Sequence, residues 1–157
     1  MNRLALPILL TAISAIYTDA NSQEAVAREY GYKLAGKTAR AAYFLSGIRR
    51  GAEPQSVEAW VWTVLREPAG IGAEQYDARA QWSVLRCTGR TVETLKTEDY
   101  LKGLMIRAVA EPPQMPADVR GGTPMESVWN VACDMETRFS VRTVMDLDHA
   151  YDEARSQ

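Results

Sequence analysis

The sequence predicts an α+β fold: a single antiparallel sheet of about six strands, packed with a C-terminal amphipathic helix and closed by one disulfide. Three observations carry this reading. From residue 30 to residue 110, short runs alternate apolar and polar side chains and are punctuated by Gly and Pro, which is the period-two signature of strands joined by short connections. Beyond residue 134 the apolar residues recur at three- and four-residue steps, the period of a helix. Finally, the chain holds only two cysteines, Cys87 and Cys133, and its N-terminus has the layout of an export signal.

That N-terminus reads MNRLALPILLTAISAIYTDANSQEA. Arg3 supplies a positive start, Leu4 to Ile16 is an uncharged and mostly apolar run, and Thr18-Asp19-Ala20 follows as a small-residue cleavage site. The run is too short to cross a bilayer, which takes about 20 apolar residues. The expected organisation is therefore a signal peptide over residues 1–20 and one domain over residues 21–157. No cysteine follows the apolar run, so no lipid anchor is expected, and the mature protein is expected in the periplasm or at the cell surface. Export bears on the cysteines, because thiols in an oxidising compartment with an even count usually pair. Zinc would need four ligands at short spacings, and the chain has one His. A cysteine nucleophile would need a nearby base, and His149 lies in a polar tail. A Cys87–Cys133 bridge is the expectation.

The strands follow in order. YGYKL and AAYFLSGI are short candidates, although the alanines from Gln23 to Ala42 would also suit a helix. In SVEAWVWTVLRE, Val57, Ala59, Val61, Thr63 and Leu65 alternate with Glu58, Trp60, Trp62, Val64 and Arg66, and the run ends at Pro68 and Gly70. AQWSVLRC and RTVETLK repeat the alternation across Thr88-Gly89, YLKGLMIRAV supplies another strand, and ESVWNVAC reads as the last. The segment AEPPQMPADVRGGTP must be a loop, since its prolines and glycines cannot hold a regular strand. Consecutive strands with short turns imply a meander. In the tail, Val144, Leu147, Tyr151 and Ala154 form one stripe of a helix expected over residues 137–155.

Composition and motifs exclude several functions. A formal charge of −2 offers no general attraction to nucleic acid. Gly70-x-Gly72 lacks the third glycine of a dinucleotide loop, and no phosphate loop, serine elbow or HExxH pattern occurs. Asp146, His149 and Glu153 would share a helical face, but three such residues on a tail read as a solvated acidic surface rather than a metal site. Glu74 and Asp77 around Tyr76 read as ordinary turn acids. No acid, base and nucleophile converge, so neither catalytic residues nor a metal or cofactor are expected. Trp60 and Trp62 share a strand face, with Trp82 on a neighbouring strand. They either form the face beneath the C-terminal helix, the favoured reading, or a binding surface. Val57, Val61 and Leu65 make the opposite face apolar too, so the strand should be covered on both sides.

Taken in order, AYFLSGIRRG, VEAWVW, YDARAQWSVLRCTGRTV, YLKGLMI, a proline loop and ESVWNVAC resemble the surface-adhesin protein E family of small bacterial envelope proteins. Tyr43, Ile48, Trp62, Cys87, Arg90, Tyr100, Gly103 and Cys133 fill the family's positions, over residues 40–133. The resemblance implies an antiparallel sheet with helical packing and one disulfide. It also implies a non-catalytic protein that binds a host or envelope protein as its partner. The export reading makes a direct prediction: intact-mass measurement of periplasmic protein should find a chain beginning at Asn21, and a chain still carrying Met1 would refute it.

Overall fold

The computed structural model describes residues 31–156, so the expected signal peptide and the first eight residues of the Gln23–Ala42 segment lie outside the described residues. Six long strands form one antiparallel meander: β1 (Tyr32–Lys37), β2 (Ala41–Arg50), β3 (Ser56–Ala69), β4 (Tyr76–Arg86), β5 (Thr91–Leu101) and β6 (Leu104–Ala110). Two residue pairs extend it, β7 (Ala117–Asp118) beside β5 and β8 (Thr143–Val144) beside β1. The sheet order is β6-β5-β4-β3-β2-β1-β8, so nearly every strand pairs with its neighbour in sequence. This is the predicted α+β architecture, and residues 32–42 are strand and turn rather than helix.

β3 is the longest strand and occupies the middle of the sheet, because its two faces are both apolar and both need cover. Its two faces belong to two separate cores. On one, Trp62 and Val64 pack with Ala42, Phe44, Ala78 and Ala80. On the other, Ala59 and Val61 pack with Leu45, Ile48 and Leu85.

Three expectations are corrected. ESVWNVAC is not a strand but most of helix α1 (Pro124–Cys133). Its start carries the chemistry of a helix N-terminus: Thr123 at the N-cap position, with Pro124 and Glu126 in the first turn. Glu126 accepts from the Gly122 N–H at 2.8 Å and from Arg90 at 2.9 Å. Met125, Val128, Trp129 and Ala132 then recur at helical spacing and pack onto the second core. The expected 137–155 helix is also broken, into α2 (Met135–Ser140) and α3 (Leu147–Arg155), with β8 between them. Asp134 and Asp146 cap the two helices through their carboxylates, and the β-branched Val141, Thr143 and Val144 lie in the extended stretch that pairs with β1. Lastly, YLKGLMIRAV is not one strand. Lys102 (φ 51°) and Gly103 (φ 76°) form a two-residue hairpin turn between Leu101 and Leu104, and positive φ at both positions is what such a turn requires.

The tail stripe still packs as expected. Val144, Leu147, Tyr151 and Ala154 lie on the core face that contains Trp62, although Val144 reaches it from a strand. Two buried acids fasten α3 there. Asp77 accepts from the Lys102 backbone N–H, at 3.0 and 3.2 Å to its two oxygens, and from the Tyr151 hydroxyl at 2.5 Å. It thereby ties the start of β4, the β5–β6 turn and the helix together. Burial, and then that bond to Asp77, push the Tyr151 hydroxyl pKa up, so Tyr151 remains a donor. Glu153 pairs with Lys37 at 2.6 Å and Arg142 at 2.7 Å.

Helix α1 is fastened covalently. Cys87, just after β4, is bonded to Cys133, the last residue of α1, with Cα atoms 5.5 Å apart. The bridge closes a 46-residue separation. Cys87→Ser should therefore lower stability by about 2–5 kcal/mol in denaturant unfolding. Cys133→Ser should match it, and the double variant should be no worse than either single, since all three remove one shared link. A double variant clearly less stable than both singles would refute this.

Candidate binding face

The face that carries α3 has two halves. Beneath the helix, the rings of Tyr32, Trp62 and Tyr100 form a row, with centroids 5.2 Å and 5.1 Å apart. Trp62 is 6% exposed, and its Nε1 donates to Ser46 Oγ at 2.9 Å, so both its apolar body and its polar tip are satisfied inside. It belongs to the core. Tyr100 donates to Glu98 at 2.7 Å, and burial followed by that carboxylate raises its pKa.

The other half belongs to Trp60 and Trp82. They sit directly opposite one another on β3 and β4, because the antiparallel register pairs them, with ring centroids 5.4 Å apart. Trp60 also packs against the margin of the helix-covered core. Over these rings lie cations from flanking strands instead of a helix. The Arg49 guanidinium is 4.7 Å from the Trp82 ring centre, and Lys96 Nζ is 5.7 Å from that of Trp60. Each cation is held by a carboxylate, Arg49 by Glu58 and Lys96 by Glu98, both at 2.6 Å. Both indoles are half-buried, so the sequence singled out three tryptophans of which the structure brings two to the open face and one to the interior.

β6 is the edge of the sheet; its last residue, Ala110, pairs with Lys96 level with Trp82, while Leu104 and Met105 lie at the other end beside Leu101 and Tyr100. All seven of its residues are exposed, including Leu104, Met105 and Ile106. Sequence reasoning did not single out this edge, although a run of apolar residues with Arg107 as its only charge was there to be read. One buried acid holds the edge in place. Asp99, 3% exposed, takes Arg79 from β4 at 2.7 Å and Arg107 from β6 at 2.5 Å. Burial alone would raise its pKa, but the hydrogen bonds from Arg79 and Arg107 outweigh burial and hold it below the ordinary carboxylate value.

The remaining motif residues take structural roles. Asp146 caps α3 and its carboxylate meets His149 Nδ1 at 2.7 Å, while Glu153 is turned to Lys37 and Arg142. Among the described residues no His, Cys, Asp and Glu side chains gather into a group that could hold a metal ion. No helix among them is long and apolar enough to cross a membrane. A concavity of about 650 Å³ opens beside the disulfide, between Arg50, Gln55 and Trp129.

The geometry is that of a two-sided sheet with one face part-covered by a helix and part-open around paired aromatics. A family model described as surface-adhesin protein E matches residues 32–134, and the chain belongs to that family. No curated protein and no solved structure matches it significantly.

The Asp99 clamp gives an acid-sensitivity with a definite sign. Its folded-state pKa lies below the unfolded one, so its contribution is complete above about pH 4, the ordinary aspartate value, and is lost as pH falls through the lower folded value. Asp99→Asn should lower stability at pH 7 by about 1–3 kcal/mol, given that Arg79 and Arg107 stay partly solvated. The variant should also lose less stability than the wild type between pH 5 and about pH 2. Parallel acid curves for the two proteins would show that Asp99 is not the clamp.

Proposed function

We propose that this chain is an exported, non-catalytic binding module that works in the bacterial envelope or at the cell surface, and that it contacts a protein partner through the open half of the sheet around Trp60 and Trp82. The observation that carries this is the tryptophan pair itself. Tryptophan rings backed by a sheet, with an arginine laid over one of them, are among the residue types that concentrate binding energy at protein interfaces. The register of β3 and β4 places the two rings side by side before any contact is made. Membership of a surface-adhesin family supports the same reading.

Two measurements test it. Protease shaving of whole cells from the native host distinguishes surface display, in which the protein is digested, from a periplasmic role, in which it is protected. Binding of the purified mature chain to immobilised extracellular-matrix protein then tests the face. Trp82→Ala with Trp60→Ala should weaken binding at least tenfold, each such aromatic anchor contributing about 1–2 kcal/mol. Circular dichroism should show the sheet intact. A folded double variant that binds as well as the wild type would remove the tryptophan face from the account.

A further inference from the structure

We infer that a cavity at the overhanging end of β3 is a binding site for a small dicarboxylate, with Arg66 as its principal ligand. β3 outruns its neighbour: Leu65 pairs with Ala41, the first residue of β2, while Ala69 still pairs with Tyr76 of β4. The Arg66 N–H donates to the Arg40 carbonyl at 3.0 Å and is the last link to the β2 side. Beyond it lies a cavity of about 750 Å³, lined by Arg40, Leu65, Arg66, Glu67 and Pro68 among others, which is within the size range of small-molecule sites.

The chemistry of the ligand is read from Arg66. Its Nε and Nη2 are shielded from water, yet neither has a hydrogen-bond partner. A charged donor withdrawn from water without an acceptor is an unfavourable arrangement that a ligand acceptor would relieve. The Nε–Nη2 edge is the one that other arginines of this chain turn to carboxylates. Arg79 meets Asp99 through Nε and Nη2 at 2.7 and 3.3 Å, Arg86 meets Glu53 through the same pair at 2.7 and 2.8 Å, and Arg49 meets Glu58 at 2.9 and 2.6 Å. That edge is the side-on match for two carboxylate oxygens. Arg66 is half-buried and its side chain lines the cavity; holding a carboxylate there requires the guanidinium to turn its shielded Nε–Nη2 edge about the terminal bonds of its long stem.

Arg40 brings a second guanidinium to the same cavity, which favours a ligand with two carboxylates. Glu67 is the internal competitor, and it leaves the lining with a net positive charge. A peptide strand added along this overhang is disfavoured, because Pro68 has no N–H to offer a ladder. The inference is independent of the Trp60–Trp82 pair, since neither tryptophan lines this cavity.

The test uses the purified mature chain and succinate as probe, followed through the Arg66 Nε–H signal by NMR. Succinate should shift that signal saturably, acetate should bind at least tenfold more weakly, and the uncharged succinamide should leave it unmoved. Arg66→Gln should abolish binding, and Arg66→Lys, which keeps the charge and loses the fork, should weaken it at least fivefold. If Arg66→Gln does not fold, Arg40→Gln should weaken succinate at least fivefold and the wild-type Nε–H titration decides. An Arg66 signal that never moves, or equal affinity in Arg66→Gln, would overturn the site. Inorganic phosphate binding as tightly as succinate would overturn the assignment to carboxylates.

Discussion

The structure depends on the two-sided apolar character of β3. A central strand with Trp62 and Val64 on one face and Ala59 and Val61 on the other cannot be satisfied by a sheet lying against a single layer. Two helices solve this from opposite sides, α3 over the first face and α1 over the second. Both come from the last third of the chain, so the meander that precedes them is a sheet awaiting its covers. Hydrophobic burial supplies the attraction, and it is non-directional, which leaves placement to other interactions.

Those interactions differ on the two faces. α1 is fixed by a covalent link at its last residue and by the Arg90–Glu126 pair near its first turn. α3 is fixed by polar groups: Asp77 receiving Tyr151 and the β5–β6 turn, and Glu153 receiving Lys37 and Arg142. Buried acids that each satisfy several donors specify one position, since a shifted helix would leave them unpaired. Asp99 does the same for the edge strand. Three buried carboxylates therefore set where the helix and the edge lie, and so where the open half of the face begins.

Much of this was readable from the residues. Alternation located β1 to β4 and the first half of β5, although the β5–β6 hairpin was read as one strand; the export reading and cysteine count paired Cys87 with Cys133, and the double-sided pattern of β3 announced two covered faces. The helix that covers the second face was misread as a strand because ESVWNVAC is short and mostly apolar, with two valines and a tryptophan that also suit a strand, and a run of that length carries no decisive period. The Thr123-Pro124-x-Glu126 start held the answer. The broken tail was missed for the opposite reason: a sustained helical stripe hid the β-branched stretch before Asp146, whose pairing to β1 is a tertiary choice that local pattern does not record. The separation of Trp62 from Trp60 and Trp82 lay beyond the sequence, since all three share a face and only the reach of α3 divides them. The Asp77, Asp99 and Arg66 environments join residues distant in the chain, and no spacing rule reveals them.

A short helix on a broad sheet leaves part of a face uncovered, and in this family member that part carries paired tryptophans overlaid by cations. One sheet face is thus divided into a sealed half and an open half. Indole N–H signals report on it directly, through their broadening by a soluble paramagnetic probe. Strong broadening is expected for Trp60 and Trp82 and a protected signal for Trp62, whose N–H is bonded to Ser46 and whose ring packs in the core that α3 covers. Equal protection of all three would contradict it, because the tryptophan pair would then be interior and the face closed.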